Sequence, residues 1–196
     1  MPIYAPELTL NEAHKIYLET NGFDEANQKK KWVKVQYGPF FAYFPNTKGR
    51  IRLLKYHDLH HILTGYSTAL TGEAEIGAWD VAVGCPGFGA GWILNLLGFA
   101  DGLIINPRGV YRAFIRGRQS SNLYPVELSE QFLSRTVGEV RRELGLDKEI
   151  GPASLSDKEA FALWALISLV ILLTVVGIVL VPLALAIIFS LHVFGR

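Results

Sequence analysis

The chain has a single cysteine among its 196 residues, so no internal disulfide framework holds it together. Cys85 reads as a small buried hydrophobe. The net charge is only +1, and no nucleic-acid partner is expected. The opening residues, MPIYAPELTLNEAH, lack a basic segment followed by an apolar one, which argues against a secretory signal. They carry glutamates and no arginine, which argues against a mitochondrial presequence. No Gly-Lys-Ser/Thr occurs, so a phosphate-binding P-loop is excluded. No glutamate follows His57, so the H-E-x-x-H centre of a metalloprotease lacks its general base. The longest absence is one of charge: none appears from Phe161 to Leu191.

That run is interrupted by little besides Ser168, Thr174 and Ser190. Roughly 20 apolar residues cross a bilayer, and a straight helix over the whole run would measure about 45 Å. The expected organisation is therefore a domain over 1–147, a linker over 148–160 and a transmembrane segment over 161–194. The main domain is expected on the cytoplasmic side. One span kinked or ended at Pro182 is favoured over two short legs turning near Gly177 to Pro182. Within the linker, Ser154 and Asp157 supply a helix start.

The fold class expected is mainly α, with a short β-hairpin near the N-terminus and a C-terminal transmembrane helix. Asn11 is a candidate N-cap for a first helix that closes at Asn21-Gly22. Val33, Val35 and Tyr37 alternate with Lys34 and Gln36 as a strand does, Gly38-Pro39 reads as a turn, and FFAYF returns. The hairpin aromatics Trp32, Phe40, Phe41, Tyr43 and Phe44 are expected to cap the core, with the membrane interface as the alternative. Pro107 suits the first turn of a later helix, and a last helix is expected from Ser129 or Glu130 to Leu144. The glycine-dense run GCPGFGAGWILNLLGFADGL reads as a flexible loop and a packed apolar helix that could line a lipid pocket.

What the chain does have is a concentration of histidine. Three of its five histidines fall in HDLHH, from His57 to His61. On a helix, His57 and His61 share a face one turn apart, with Asp58 flanking them. Glu73, in the first turn of a following helix, could return to complete two imidazoles and two carboxylates. Histidines on a helix are usually solvated, but this N/O set suits a divalent metal: zinc, with iron or manganese also compatible. His60 points elsewhere and reads as a packing or supporting residue, while Glu75 reads as solvated. His57-Asp58 also suggests an HD-type phosphohydrolase, which would need His14 and Asp80 or Asp101 besides. Arg108, Arg112 and Arg116 form a basic stripe joined by Arg118, either a solubilising face or a site for an anion or acidic lipid headgroups.

The spacing H-D-x-x-H, eleven residues, then E resembles the signature of the coenzyme Q biosynthesis protein 4 family. Thr64-Gly65-Tyr66, Gly72-Glu73, YRAFIRGRQSSNLYPVELSEQF and VRRELGL are similar to the same family. The likeness runs over most of Arg50 to Leu146. It departs where family members often carry Trp-Glu and this chain has Val126-Glu127, and in the hydrophobic tail. The resemblance implies a role in ubiquinone synthesis: modification of a polyprenylated hydroxybenzoate, with loss of the ring carboxyl and oxidation at that carbon. It implies Gly117-Arg118, with Arg116 beside them, as residues holding the substrate. Membrane lipid, other quinone-biosynthesis proteins and a second copy of the chain are the partners considered. A non-catalytic, lipid-binding scaffold is the alternative.

Overall fold

A computed structural model of the chain describes residues 4–23, 30–37 and 40–194. The element order is α1 (Leu10–Thr20), β1 (Trp32–Tyr37), β2 (Phe40–Pro45), α2 (Lys48–Thr64), α3 (Leu70–Val83), α4 (Gly89–Ile105), α5 (Pro107–Arg118), α6 (Glu130–Leu133), α7 (Val137–Glu143) and α8 (Leu155–Phe194). The fold is mainly helical, as expected. The strands pair antiparallel, Trp32 opposite Pro45 and Tyr37 opposite Phe40. The Gly38-Pro39 turn lies outside the described residues, as do the side chains of Phe40, Phe41 and Phe44.

Local chemistry explains most boundaries. Thr9, rather than Asn11, caps α1, in a reciprocal box with Glu12. Thr47 caps α2, which ends at Gly65 in the left-handed region (φ 80°). Pro107 opens α5. The expected last helix is broken in two, because Thr136 starts a fresh capping box with Glu139. That break lets Leu10 N–H reach Arg135 O and Val137 N–H reach Leu8 O, tying both ends of the domain together.

The core gathers Leu59, Ile62 and Leu63 of α2, Ile76 and Trp79 of α3, Phe99 of α4 and Phe114 of α5, all essentially inaccessible. Helix α3 lies so close to α4 and α5 that Gly77 and Gly117 are contact points. A Cβ at Gly117 would stand 2.7 Å from Trp79 O, and one at Gly77 would stand 2.8 Å from Asn95 O. The hairpin aromatics are a correction: Trp32 and Tyr43 are 59% and 61% exposed and cap no core. Both line a solvent-open cavity beside α1 and α2 instead of packing into the core.

Helix α8 starts at Leu155, inside the expected linker, where Ser154 Oγ accepts from Asp157 N–H and Asp157 Oδ2 accepts from Ser154 N–H. It continues through Pro182 as one 40-residue helix, so the two-legged arrangement does not form. Leu155–Pro182 is long and apolar enough to cross a membrane. Its first turns do not stand free. Trp164 stacks on Trp92 (5.2 Å between centroids), and Phe161 meets Phe99, Tyr111 and Phe114 at 4.9–5.6 Å.

Candidate metal centre

Two helices supply the donors. His57 and His61 project from one face of α2, and Glu73 sits in the first turn of α3. The loop between them folds tightly: a Cβ at Gly72 would collide with the backbone of Ser67, so only glycine lets the loop lie over the start of α3. This fold-back turns Glu73 toward the imidazoles and brings the Tyr66 carbonyl to His61.

His57 Nε2 lies 3.2 Å from Glu73 Oε2, and His61 Nε2 lies 3.3 Å from Glu73 Oε1. The two imidazole Nε2 atoms are 3.1 Å apart. His61 Nδ1–H donates to Tyr66 O at 3.0 Å, which leaves the Nε2 lone pair of that ring aimed into the cluster. In the metal-free chain a proton shared among these atoms satisfies them, and a metal cation could take its place. Ligand–metal distances near 2.0–2.1 Å place the donors of a tetrahedral zinc about 3.3 Å apart. The three residues fit such an ion, and a three-residue set leaves a position open for water or a ligand. His57, His61 and Glu73 could therefore hold a metal ion.

The electrostatics agree. Burial works to raise the Glu73 pKa, but hydrogen bonds and charge from His57 and His61 outweigh it and hold the carboxyl down to about 2. Burial likewise opposes protonation of His57, yet the Glu73 carboxylate, helped by Asp80 and Asp58, raises its pKa above the usual 6.5.

Asp58 faces a different partner. Its Oδ2 lies 3.1 Å from His14 Nε2 of α1, both side chains being almost fully buried. Asp58 is thus one residue from the cluster and held by a third helix, while still lining the same cavity. That cavity, about 610 Å³, opens beside His57 and Glu73. Its apolar wall includes Tyr17 and Leu54, the hairpin adds Trp32 and Tyr43, and Arg50, Lys30 and Lys34 bring positive charge.

The arginines taken from the resemblance are elsewhere. Arg116 donates to the carbonyls of Thr64 (2.7 Å) and Leu146 (3.0 Å). Arg118 pairs with Asp157 of α8 at 3.1 Å, and Gly117 is buried against Trp79 and Ala82. None of the three lines the cavity beside the histidines. Arg50, which does, gave little signal in the sequence beyond belonging to a basic helix start. Glu75 is half-buried and accepts from Asn106 Nδ2 at 3.2 Å, rather than being solvated.

His60 is a packing residue in the strict sense. Its ring meets Trp79 and Tyr124 edge-on at 5.1 and 4.7 Å, and its Nε2 accepts from Leu123 N–H. His14 reaches Asp58, as an HD-type phosphohydrolase would ask, but neither joins the three-donor group. Asp80 is committed to the buried network around His60. No protein-family model, curated protein or solved structure matches this chain.

Proposed function

We propose that the chain is a membrane-attached, metal-dependent protein of ubiquinone synthesis. It would act on a polyprenylated hydroxybenzoate, replacing the ring carboxyl by a hydroxyl. One observation carries this reading: His57, His61 and Glu73 converge, and two of them, His57 and Glu73, line a cavity that is apolar and aromatic in body and cationic in part. The resemblance of H-D-x-x-H-x11-E to the coenzyme Q biosynthesis protein 4 family supports it, as does an apolar helix able to cross the bilayer in which such substrates dissolve.

A bound divalent metal, zinc or alternatively iron or manganese, supplies a Lewis-acid centre for the phenol or carboxylate oxygens. The protein's own groups do the rest. Arg50, whose Nη1–H donates to Asn46 Oδ1, lines the cavity and would attract the benzoate carboxylate by charge. Tyr17, Leu54 and Trp32 exclude water from the ring and the first prenyl unit. Tyr66 O fixes the His61 tautomer through Nδ1–H. The net change breaks the bond between ring carbon and carboxyl, releases carbon dioxide and forms a carbon–oxygen bond. It requires an external oxidant such as dioxygen.

The exposure of Trp32 and Tyr43 on the hairpin favours a second reading, a scaffold that gathers other quinone-biosynthesis enzymes. The test measures metal content and conversion of a prenylated hydroxybenzoate by the full chain in proteoliposomes, beside His57→Ala/His61→Ala. About one metal per chain, lost with product formation in the double variant, supports the enzyme. Metal and product unchanged in that variant would remove the proposal. Conversion that appears only when other biosynthetic proteins are added favours the scaffold.

A further inference from the structure

Four residues of one motif, His57, Asp58, His61 and Glu73, are of metal-binding type, yet the fold brings only three of them together. His57, His61 and Glu73 offer atoms within 4.8 Å of one another, a group that Asp58 does not join. Helix α1 is what withholds it. Asp58 Oδ2 lies 3.1 Å from His14 Nε2, and both side chains are almost fully buried. A carboxylate only accepts, so the His14 ring donates through Nε2–H.

The register of α1 on α2 fixes this contact. The Thr9–Glu12 capping box starts α1, and Leu10 N–H is bonded to Arg135 O one turn before His14. Leu10, Ala13 and Tyr17 form its buried face. One turn beyond His14, Tyr17 stacks on His61, which is itself one turn beyond Asp58 (5.8 Å between centroids, 22° between planes). Equal three-residue steps on both helices mean that α1 and α2 lie side by side in the same direction here. A shift of one residue turns a side chain about 100° around its helix, so a slip of α1 would break both contacts together.

The consequence lies in the cavity of about 610 Å³, which Asp58 lines with His57 and Glu73. A carboxylate with so little exposure is costly to leave unpaired, and His14 supplies its partner. Without His14, Asp58 would turn to positive charge in the cavity. An ion held by His57, the preceding residue, carries two charges, against the single charges of Lys30, Lys34 and Arg50 elsewhere on the lining. A fourth protein donor would then fill the position that three donors leave for water or a ligand.

We propose that His14 is a positioning residue: by holding Asp58 against α1, it keeps the centre at three protein donors and open to a ligand entering the cavity. The inference rests on the three-donor group binding a metal and is independent of which substrate is taken.

The experiment uses the full chain in detergent. Chelator competition measures zinc affinity, and the visible absorption of the cobalt(II)-loaded protein, with azide as probe, reports an open position. Wild type should bind cobalt, and azide should change its spectrum. His14→Leu fills nearly the same space without a donor. It should bind zinc about tenfold more tightly, within the range over which a ligand's neighbours move metal affinity, and its cobalt spectrum should no longer respond to azide. Both changes should disappear in His14→Leu/Asp58→Asn and be absent from His14→Gln, whose amide can still donate to Asp58. Asp58→Asn alone should stay within a few-fold of wild type, while Glu73→Gln should lose the ion. A folded His14→Leu with unchanged or weaker zinc binding would overturn the proposal, because a merely structural pair predicts no gain. Zinc binding as weak in Asp58→Asn as in Glu73→Gln would make Asp58 a ligand already and end the proposal as well. That comparison decides by itself if His14→Leu does not fold. A wild-type chain that takes up no metal would overturn the proposal together with the three-donor centre.

Discussion

His60 Nδ1 of α2 lies 3.0 Å from Asp80 Oδ1 of α3, with neither side chain exposed. The contact is close in distance but off the line of a well-directed hydrogen bond. His60 Nε2 accepts from Leu123 N–H, so the ring proton sits on Nδ1 and faces the carboxylate. Asp80 Oδ2 accepts from Tyr124 O–H at 3.1 Å and from Asn95 Nδ2 at 3.2 Å. A buried acceptor thus gathers donors from three parts of the chain. Burial first, and the Asp80 charge second, push the Tyr124 hydroxyl far above its ordinary pKa, so it remains a donor.

Removing that acceptor should be costly. Asp80→Ala leaves His60, Tyr124 and Asn95 with unmet polar groups in a dry interior, an effect of about 3–5 kcal/mol. Domains of ordinary stability hold only about 5–15 kcal/mol. Thermal unfolding of the detergent-solubilised chain, followed by near-UV circular dichroism, should show a midpoint lowered by many degrees. An unchanged midpoint would mean that the network contributes nothing.

Gly72 links loop geometry to the metal cluster. Gly72→Ala places a methyl group against the Ser67 backbone, which has to shift. The shift moves Tyr66 O away from His61 and rotates the first turn of α3, which carries Glu73. Zinc affinity should fall about 10–100-fold, the range seen when a ligand's supporting partner is lost. Competitive chelator titration would measure it. Wild-type affinity in Gly72→Ala would show that the loop relaxes without reaching the donors.

The three-donor group was legible because its constraints are local. Four-residue spacing puts His57 and His61 on one face of any helix, and a short loop obliges α3 to return beside α2. The single apolar helix at the C-terminus was legible from the absence of charge alone. What sequence did not carry was packing between distant elements. Nothing near Asp58 indicates that α1 brings His14 to it, and nothing in the hairpin indicates that Trp32 and Tyr43 wall a cavity. The arginine stripe of α5 misled for a related reason. A cation repeated every fourth residue has the same pattern whether it meets solvent, a substrate or a carbonyl, and only the fold distinguishes these.

Arg116 illustrates this and can be tested. It and Arg141 close the same helix end: Arg116 donates to Thr64 O, and Arg141 donates to Ile62 O and Leu63 O. These are the last carbonyls of α2, where the helix dipole is negative. Arg116 also lies over the Tyr66 ring, 5.5 Å from its centre. Arg116→Lys cannot serve Thr64 O and Leu146 O with one planar fork and should lower stability by about 1–3 kcal/mol. KM for a prenylated hydroxybenzoate should remain within a few-fold of wild type at a temperature where both forms are folded. A large rise in KM at unchanged stability would instead place Arg116 on the substrate.

The pH dependence of the metal-free and metal-loaded protein should run in opposite directions. In the metal-free chain His57 is raised above 6.5, so its pairing with Glu73 stabilises the fold fully below the unfolded value and is lost as pH rises through the raised folded value. Glu73, held down to about 2, contributes fully above its ordinary 4.5 and loses that contribution as pH falls through about 2. Both contributions are complete together between 4.5 and 6.5. A metal ion must displace the His57 proton, so its binding strengthens as pH rises toward and past the raised value. The midpoint increase on adding zinc to chelator-treated protein should therefore be small near pH 5.5 and grow toward pH 8. Differential scanning fluorimetry across that range reads it directly, with His57→Gln as the reference that lacks the competing proton. A zinc-induced shift of constant size over the whole range would show that no such proton is displaced, and that His57 is not a ligand.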